Sequence, residues 1–176
     1  MDATNPVIEA IRSRRSVRRY RAGEVSREVL ETIVDCGRLA PSSNNRQSWE
    51  FVVVTEPVTL ARLGALATHG KFIAEAAACI VVCGDPGHRS VYLDGAAATE
   101  NMLLAIHSLG LASCWVQGFA KDYNPAIQEL LGIPDRLVLV ALVPVAHAAA
   151  AALMPRKRPL AGVLHWELFD PAGQRR

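Results

Sequence analysis

Tyr92 to Leu109 reads YLDGAAATENMLLAIHSL, and this stretch is predicted to form one long helix. Few charges interrupt its small and aliphatic side chains: Asp94 lies near the start and Glu100 in the middle. Gly110 follows, and glycine is common just past a helix end. A helix that is apolar on most of its sides is buried on most of its sides. Two environments would bury such a helix equally well: the centre of one chain's core, or an interface with a second copy of the chain.

Helices and strands alternate on both sides of this segment. Capping residues or prolines mark the starts of four further helices, at Asn5-Pro6, Ser26, Pro57 and Pro125. Runs rich in β-branched and aromatic residues predict four strands, at Trp49–Thr55, Cys79–Asp85, Ala112–Phe119 and Arg136–Ala146. This order predicts an α+β fold in which helices cover a sheet, built as a single domain over residues 1–176.

Composition narrows the class of protein. The chain has a formal net charge of +2 and is 51% hydrophobic, which argues against disorder. No apolar run reaches the ~18 residues of a membrane span, and the first residues lack the layout of a signal peptide. We therefore expect a cytoplasmic protein that binds neither membrane nor nucleic acid. The cysteines, at positions 36, 79, 83 and 114, lack the spacing of a metal site and are expected to be buried free thiols.

Two short segments concentrate positive charge. The first reads RSRRSVRRY from Arg12 to Tyr20 and offers Arg14, Arg15, Ser16 and Arg18. The second is Arg156-Lys157-Arg158, near the other end of the chain. Planar guanidinium groups match phosphate oxygens, and a serine hydroxyl adds a donor. If the fold brings the segments together, they could clamp one phosphate; each alone could equally be a solvated basic patch.

Two further segments offer groups suited to a flat heterocycle. The loop PSSNNRQS contains uncharged donors and acceptors, at Ser42, Ser43, Asn44, Asn45 and Gln47. Such groups can pair with the edge of a ring, although turn formation is the alternative reason for their presence. Gln117-Gly118 comes directly after a predicted strand, where a glycine would let the backbone approach a ring closely.

The chain resembles the nitroreductase family of FMN-dependent oxidoreductases over nearly its full length. Four blocks carry the resemblance, in the order of the family: RRSVRRY (14–20), APSSNNRQSWEFVVV (40–54), DGAAATENMLLAIHSLGLASCWVQGF (94–119) and RKRPLAGVLHWE (156–167). The resemblance implies a three-layer α-β-α fold with a mostly antiparallel central sheet. It also implies a domain-intertwined homodimer with an interface around the long helix and two FMN sites at that interface.

The resemblance also assigns cofactor contacts. It places the phosphate and ribityl chain at Arg14, Arg15 and Ser16, and the pyrimidine end of the ring at Arg18. It places the partner's flavin near Pro41, Ser42 and Ser43, with Asn45 and Gln47 in the same block. It places the turn beside flavin N5 at Gln117 and Gly118, where backbone amides are expected to point. Finally, the resemblance assigns Arg156 and Arg158 as contacts of the same phosphate.

The implied activity passes electrons from NAD(P)H through FMN N5 to nitroaromatic, quinone or related small-molecule acceptors by a ping-pong mechanism. The flavin carries the chemistry, so no side chain is predicted to be a catalytic acid or base and no metal is expected. His69, His107 and His165 are interpreted as structural. The alternatives are a specialised flavin enzyme of the same fold, such as a dehalogenase, an enoate-type reductase or a flavin-fragmenting enzyme, or a non-enzymatic flavin carrier or sensor.

The chain departs from the family pattern in three places. Ser48 stands where members commonly have proline, and Gln117 stands where many have an acidic residue or glycine. Many relatives carry an insertion between the central helices that covers the active site, whereas this chain has only the short stretch GDPGHRSVY, Gly84 to Tyr92. The short connection predicts a more open pocket.

Overall fold

A four-stranded antiparallel sheet with strand order β2-β3-β5-β4 forms the centre of the computed structural model, which describes residues 5–169. The helices are α1 (Pro6–Ser13), α2 (Arg27–Arg38), α3 (Pro57–Leu66), α4 (Val91–Ser108) and α5 (Asn124–Leu131). The strands are β1 (Tyr20–Arg21), β2 (Trp49–Val54), β3 (Ala78–Gly84), β4 (Val116–Gln117), β5 (Val138–Val145) and β6 (His147–Ala148). The predicted α+β class with an antiparallel central sheet is confirmed.

The sheet separates two apolar cores because successive side chains of a strand point to opposite faces. On β3, Val81 and Cys83 join a cluster with residues of α3 and α5. The intervening Ile80 and Val82 join a second cluster with residues of α2 and α4. All seven residues of β3 are buried, as expected for a strand with helices on both faces. Within one chain the fold is therefore the expected three-layer α-β-α arrangement.

Small residues bring α4 close to its neighbours. A side chain added at Gly95 would lie 2.8 Å from Val140 on β5, and one at Gly37 on α2 would lie 2.8 Å from Met102. The face of α4 that carries Ala98 and Met102 is fully buried within the chain. The opposite side is not, because 73% of Leu93 is exposed. One face of α4 is thus a core face, and the other is left open.

Local signals placed the helix ends correctly. The Asn5 side chain accepts hydrogen bonds from the amides of Val7 (3.0 Å) and Ile8 (3.3 Å), and Ser26 caps α2 by accepting from Val29 at 3.3 Å. Gly132, the C-cap of α5, has a φ of 65°, a conformation that favours glycine.

The strand predicted at Ala112–Phe119 is wrong in length, because β4 contains only two residues. Ala112 forms an isolated bridge with Ala146, and Ser113 forms one with Ser16. The pairing of β1 with β6, Tyr20 opposite Ala148, was not predicted. Each of these strands contains two residues, too few for a periodic pattern.

All four cysteines are free thiols, as predicted; three are buried and Cys36 is half-buried. Burial raises the pKa values of Cys79 and Cys83 to about 12, so these thiols stay protonated at neutral pH. None of the helices between residues 5 and 169 is long and apolar enough to cross a bilayer.

Candidate functional site

The arginine-rich segment follows α1 and is fixed to the body of the protein by its backbone. The amide of Arg14 donates to Ala10 O at 2.9 Å and ends the helix. Three residues later, the amide of Val17 donates to Ser113 O at 2.9 Å. The ring of Tyr20 is buried, and its hydroxyl donates to Val17 O at 2.9 Å. These contacts hold the backbone between α1 and β1 in place and leave the arginine side chains at the surface.

The two basic segments meet at one cavity of about 580 Å³. Its lining contains the first segment and the residues that follow β6: Ile11, Arg12, Arg14, Arg15, Ser16, Arg18, Leu153, Met154, Pro155 and Lys157. Five of these side chains are cations, and the lining includes no carboxylate among the described residues. We call this feature the basic cavity. Its charge and its serine hydroxyl suit a compact polyanion.

The second basic segment reaches the basic cavity through a different residue from those expected. Lys157 lines the cavity, whereas Arg156 and Arg158 are exposed beside it and are not among its lining residues. Just before this segment, Met154 contacts the first one, because the Nη2 of Arg15 donates to Met154 Sδ. The predicted meeting of the segments is present, and the cofactor contacts of Arg156 and Arg158 stay predictions.

Neighbouring groups orient two of the arginines. The Nη1 of Arg15 donates to the carbonyl oxygens of Arg12 (2.7 Å) and Arg14 (2.6 Å). The Nε of Arg14 lies 3.3 Å from a carboxylate oxygen of Glu100 on α4. Arg15 is therefore held by backbone, whereas Arg14 has a half-exposed carboxylate as partner that an incoming anion would have to displace.

Two titratable groups lie beside this cluster. The Nε2 of His107 is 2.6 Å from the hydroxyl oxygen of Ser13, and that hydroxyl donates its proton to Glu9 O at 2.7 Å. Burial, Arg14 and Arg15 lower the pKa of His107 below its ordinary value of 6.5. Burial raises the pKa of the Cys114 thiol, against the opposing charge of Arg18. Both groups are consequently neutral at pH 7 and leave the positive charge of the cluster unchanged.

The polar loop lies apart from the basic cavity, and none of its described residues is in the cavity lining. Ser42 and Ser43 are half-buried, whereas Pro41, Asn45 and Gln47 are exposed. The hydroxyl of Ser42 accepts from the Gln47 amide at 3.0 Å, and the Ser43 amide donates to Asp94 Oδ1 at 3.1 Å. Within one chain, the predicted cofactor contacts therefore fall into two separate sets, one at the basic cavity and one in the polar loop.

The expected amide role of Gly118 requires a correction. Its amide donates to Val140 O at 2.9 Å and is therefore committed to the sheet rather than directed at a ligand. A side chain at Gly118 would lie 3.0 Å from the backbone of both Leu139 and Val140, so the glycine is needed for strand packing. The adjacent Gln117 is exposed, and its Nε2 donates to Phe119 O at 3.1 Å.

Sequence reasoning did not single out Lys157 or Asp94 as site residues. The resemblance assigned the residues on either side of Lys157 to the phosphate, and no helix or strand periodicity in that segment could correct the choice. Asp94 was noted only as a charge in the long helix, yet it is 5% exposed and reaches the polar loop. Its position in the first turn of an otherwise apolar helix was the available signal.

Known proteins share both the sequence pattern and the fold. A family model described as "Nitroreductase family" matches residues 11–78 and 65–147. A protein from Archaeoglobus fulgidus, with the provisional name NADH dehydrogenase/NAD(P)H nitroreductase, is 38% identical over 77% of this chain and 82% of its own length.

Two solved structures extend the similarity over almost the whole chain. A Bacteroides thetaiotaomicron protein with the same provisional name has a TM-score of 0.89 and 28% identity, over 95% of this chain and 100% of its own. An FMN-dependent nitroreductase from Clostridium difficile has a TM-score of 0.85 and 28% identity, over 92% of this chain and 99% of its own. The fold and the matched sequence together define an oxidoreductase of the NAD(P)H nitroreductase and FMN reductase type. The chain belongs to the nitroreductase family.

The lowered pKa of His107 predicts a specific acid sensitivity. As the pH falls through about 6.5, the unfolded chain protonates this imidazole before the folded chain does. The free energy of unfolding should therefore fall in that window for the parent and fall less for His107→Gln. Thermal unfolding at pH 7.5 and pH 5.5 measures the difference, with exposed His69→Gln as the control. An equal loss in the parent and in His107→Gln would contradict the assignment.

Proposed function

We propose that this protein is an FMN-dependent oxidoreductase that takes electrons from NAD(P)H and passes them to nitroaromatic, quinone or related small-molecule acceptors. The observation that carries the proposal is the basic cavity, in which two segments about 140 positions apart in the chain present five cations. The FMN-dependent relative from Clostridium difficile supports the choice of cofactor.

The residues present fit a flavin mononucleotide. A cavity of about 580 Å³ falls within the range of ~300–1,000 Å³ of ordinary ligand sites. A phosphate monoester carries close to two negative charges at neutral pH, and the cavity opposes them with guanidinium groups and a lysine. FMN, when bound, supplies reversible two-electron chemistry between the nicotinamide and the acceptor.

The chain's own residues bind and orient this group. Arg14, Arg15 and Ser16 bind the phosphate, and Lys157 closes the same cavity from the C-terminal side, next to Arg156 and Arg158. Arg18, on the exposed side of the cluster, supplies positive charge that favours an anionic flavin. Because the Gly118 amide is committed to Val140, the side chain of Gln117 is the better candidate for a contact at this turn.

Replacing Arg14 should weaken FMN binding. Losing one charge-assisted hydrogen-bond partner costs on the order of 1.5–3 kcal/mol, which corresponds to a dissociation constant about 10- to 100-fold higher. Fluorescence titration of the Arg14→Ala apoprotein with FMN measures the change.

Arg62→Ala provides the matched control, because Arg62 is an exposed arginine on α3, outside both the basic cavity and the surface of α2. The parent holoprotein should also lose its visible flavin absorbance when NADH or NADPH is added without oxygen, and should regain it with a quinone. FMN binding by Arg14→Ala as tight as that of the parent would place the phosphate elsewhere. A flavin that neither nucleotide bleaches would contradict the reductase activity.

We further propose a homodimer, because a single chain leaves large apolar side chains exposed to solvent. Residues 149–169 form a C-terminal arm whose large apolar side chains are mostly exposed, including Leu153 (92%), Leu160 (70%) and Trp166 (79%). Helix α1 contains no buried residue, and 57% of Ile11 is exposed. Contiguous apolar surface of this kind marks an interaction site.

A second copy offers surfaces that match the arm. The strand β2 is at the edge of the sheet, so its outer side has unpaired backbone groups. Beside this edge, a groove of about 710 Å³ runs along α2; its lining includes the apolar Leu30, Val34 and Val53 together with charged residues of α2. An arm from a partner that packed here would cover both apolar surfaces. The same pairing would bring the polar loop of one chain toward the basic cavity of the other.

Because the C-terminal arm is exposed in one chain, we predict that the protein is a dimer in solution. The parent should sediment at twice the chain mass of 19.0 kDa, and the double variant Trp166→Ser/Leu168→Ser should shift toward monomer because it removes apolar area from the arm. Sedimentation velocity measures both. Val58→Ser is the control, because Val58 is equally exposed (74%) but lies on α3, outside the arm and the groove. A monomeric parent, or a dimer insensitive to the arm variant, would contradict the proposal.

A further inference from the structure

The polar loop holds a backbone conformation that its own residues do not favour. Asn44, Asn45 and Gln47 have φ angles of 53°, 54° and 51°, in the left-handed region where residues other than glycine are uncommon. Asparagine tolerates this region better than glutamine does. Such conformations persist only where the surroundings determine them. One internal hydrogen bond, from the Gln47 amide to the Ser42 hydroxyl at 3.0 Å, helps to hold this conformation, and contacts from outside the loop add to it.

Two contacts from the chain around α4 hold the loop at its ends. At the start, the Ser43 amide donates to Asp94 Oδ1 at 3.1 Å across 51 positions of sequence. At the end, Ser48 O accepts from the Asp85 amide at 3.0 Å. Asp94 lies in the first turn of α4, where the helix dipole favours a carboxylate. A carboxylate accepting from a backbone amide is among the stronger hydrogen bonds in proteins.

The second oxygen of Asp94 is buried and accepts no hydrogen bond from residues 5–169. Its neighbour is His88 Nε2 at 3.7 Å, too long for a good hydrogen bond, and that nitrogen has no hydrogen-bond partner within the same described residues either. The carboxylate of Asp94 is 7% exposed and the His88 side chain 15%. Burying a carboxylate is costly unless it is well compensated, so an apolar residue would stabilise this helix turn better. The carboxylate is better explained by the loop than by the stability of α4.

We propose that Asp94 is a positioning residue: through the Ser43 amide it fixes the polar loop in the conformation that contacts the cofactor. The inference rests on the proposed function for the role of the loop at the flavin, but the contact itself is a property of the chain alone. In the short connection from β3 to α4, Asp85 binds the other end of the loop at Ser48, and His88 lies beside the carboxylate of Asp94. The connection and the loop are thereby held as one unit.

Tryptic cleavage after Arg46 tests the proposal in the apoprotein. Arg46 is exposed within the loop, and cleavage there requires the loop to open. Asp94→Ala should raise the cleavage rate by about tenfold or more, because it removes a charge-assisted bond. Asp94→Asn keeps an acceptor oxygen at the same position and should stay within about threefold of the parent. Mass spectrometry separates this cut from cuts in the exposed arm.

Glu129→Ala is the matched control, since it removes an exposed carboxylate on α5, which packs on the other face of the sheet from α4. Cleavage after Arg62 in α3 serves as the internal reference for global unfolding. If Asp94→Ala and the parent are cut after Arg46 at equal rates, or if Asp94→Asn opens the loop as fully as Asp94→Ala, the proposal is wrong. If Asp94→Ala does not fold, amide exchange decides: the Ser43 amide should be protected in the parent, and exchange at the unstructured rate would overturn the proposal.

Measurements with FMN separate the proposed role of Asp94 from the proposed function of the protein. With FMN bound, Asp94→Ala should raise the FMN dissociation constant and alter the visible circular dichroism of the flavin, whereas Asp94→Asn should restore both. A parent that does not bind FMN would overturn the proposed function, and the apoprotein cleavage would still decide the role of Asp94. Loop opening in Asp94→Ala with unchanged FMN binding would refute the positioning role.

Discussion

Positive charge concentrated at one cavity is the constraint on which the rest of the site depends. Like charges repel, and the interaction is strong wherever side chains are partly withdrawn from water. Within the basic cavity, the described lining residues provide five cations, and only the nearby Glu100 makes an ion pair with one of them, Arg14. The fold tolerates this arrangement because backbone contacts to Ala10 and Ser113 hold the arginine segment. An anion that enters the cavity relieves the repulsion, so the same charges that oppose folding favour binding.

The second constraint is apolar surface that one chain leaves uncovered. The two cores inside the subunit pack α2 and α4 on one face of the sheet and α3 and α5 on the other. The exposed arm and α1 belong to neither core. The proposed homodimer would cover this surface, and it would also account for the separation of the polar loop from the basic cavity within one chain. The proposed cofactor site would then be complete only when two chains pair.

Local chemistry made much of the fold predictable, and long-range pairing set the limit. The caps at Asn5 and Ser26 and the stops at Gly110 and Gly132 act within a few residues, so the sequence displays them directly. The pairing of Tyr20 with Ala148 joins two strands that are distant in sequence. Each strand has only two residues, so no periodic pattern in the sequence predicts it. Contacts between residues distant in sequence also limited the prediction of the site. A glycine after a strand is compatible with a ligand or with a neighbouring strand, and at Gly118 the neighbour is β5.

Phosphate binding at the basic cavity is measured most directly by comparing two flavins that differ only in the phosphate group. Apoprotein titrated with FMN and with riboflavin should bind FMN at least about a hundredfold more tightly, since two or more charge-assisted contacts are lost with the phosphate. Added salt should reduce the difference, because screening weakens the attraction. Equal affinity for the two flavins would show that the basic cavity does not hold the phosphate, and the account of this site would fail.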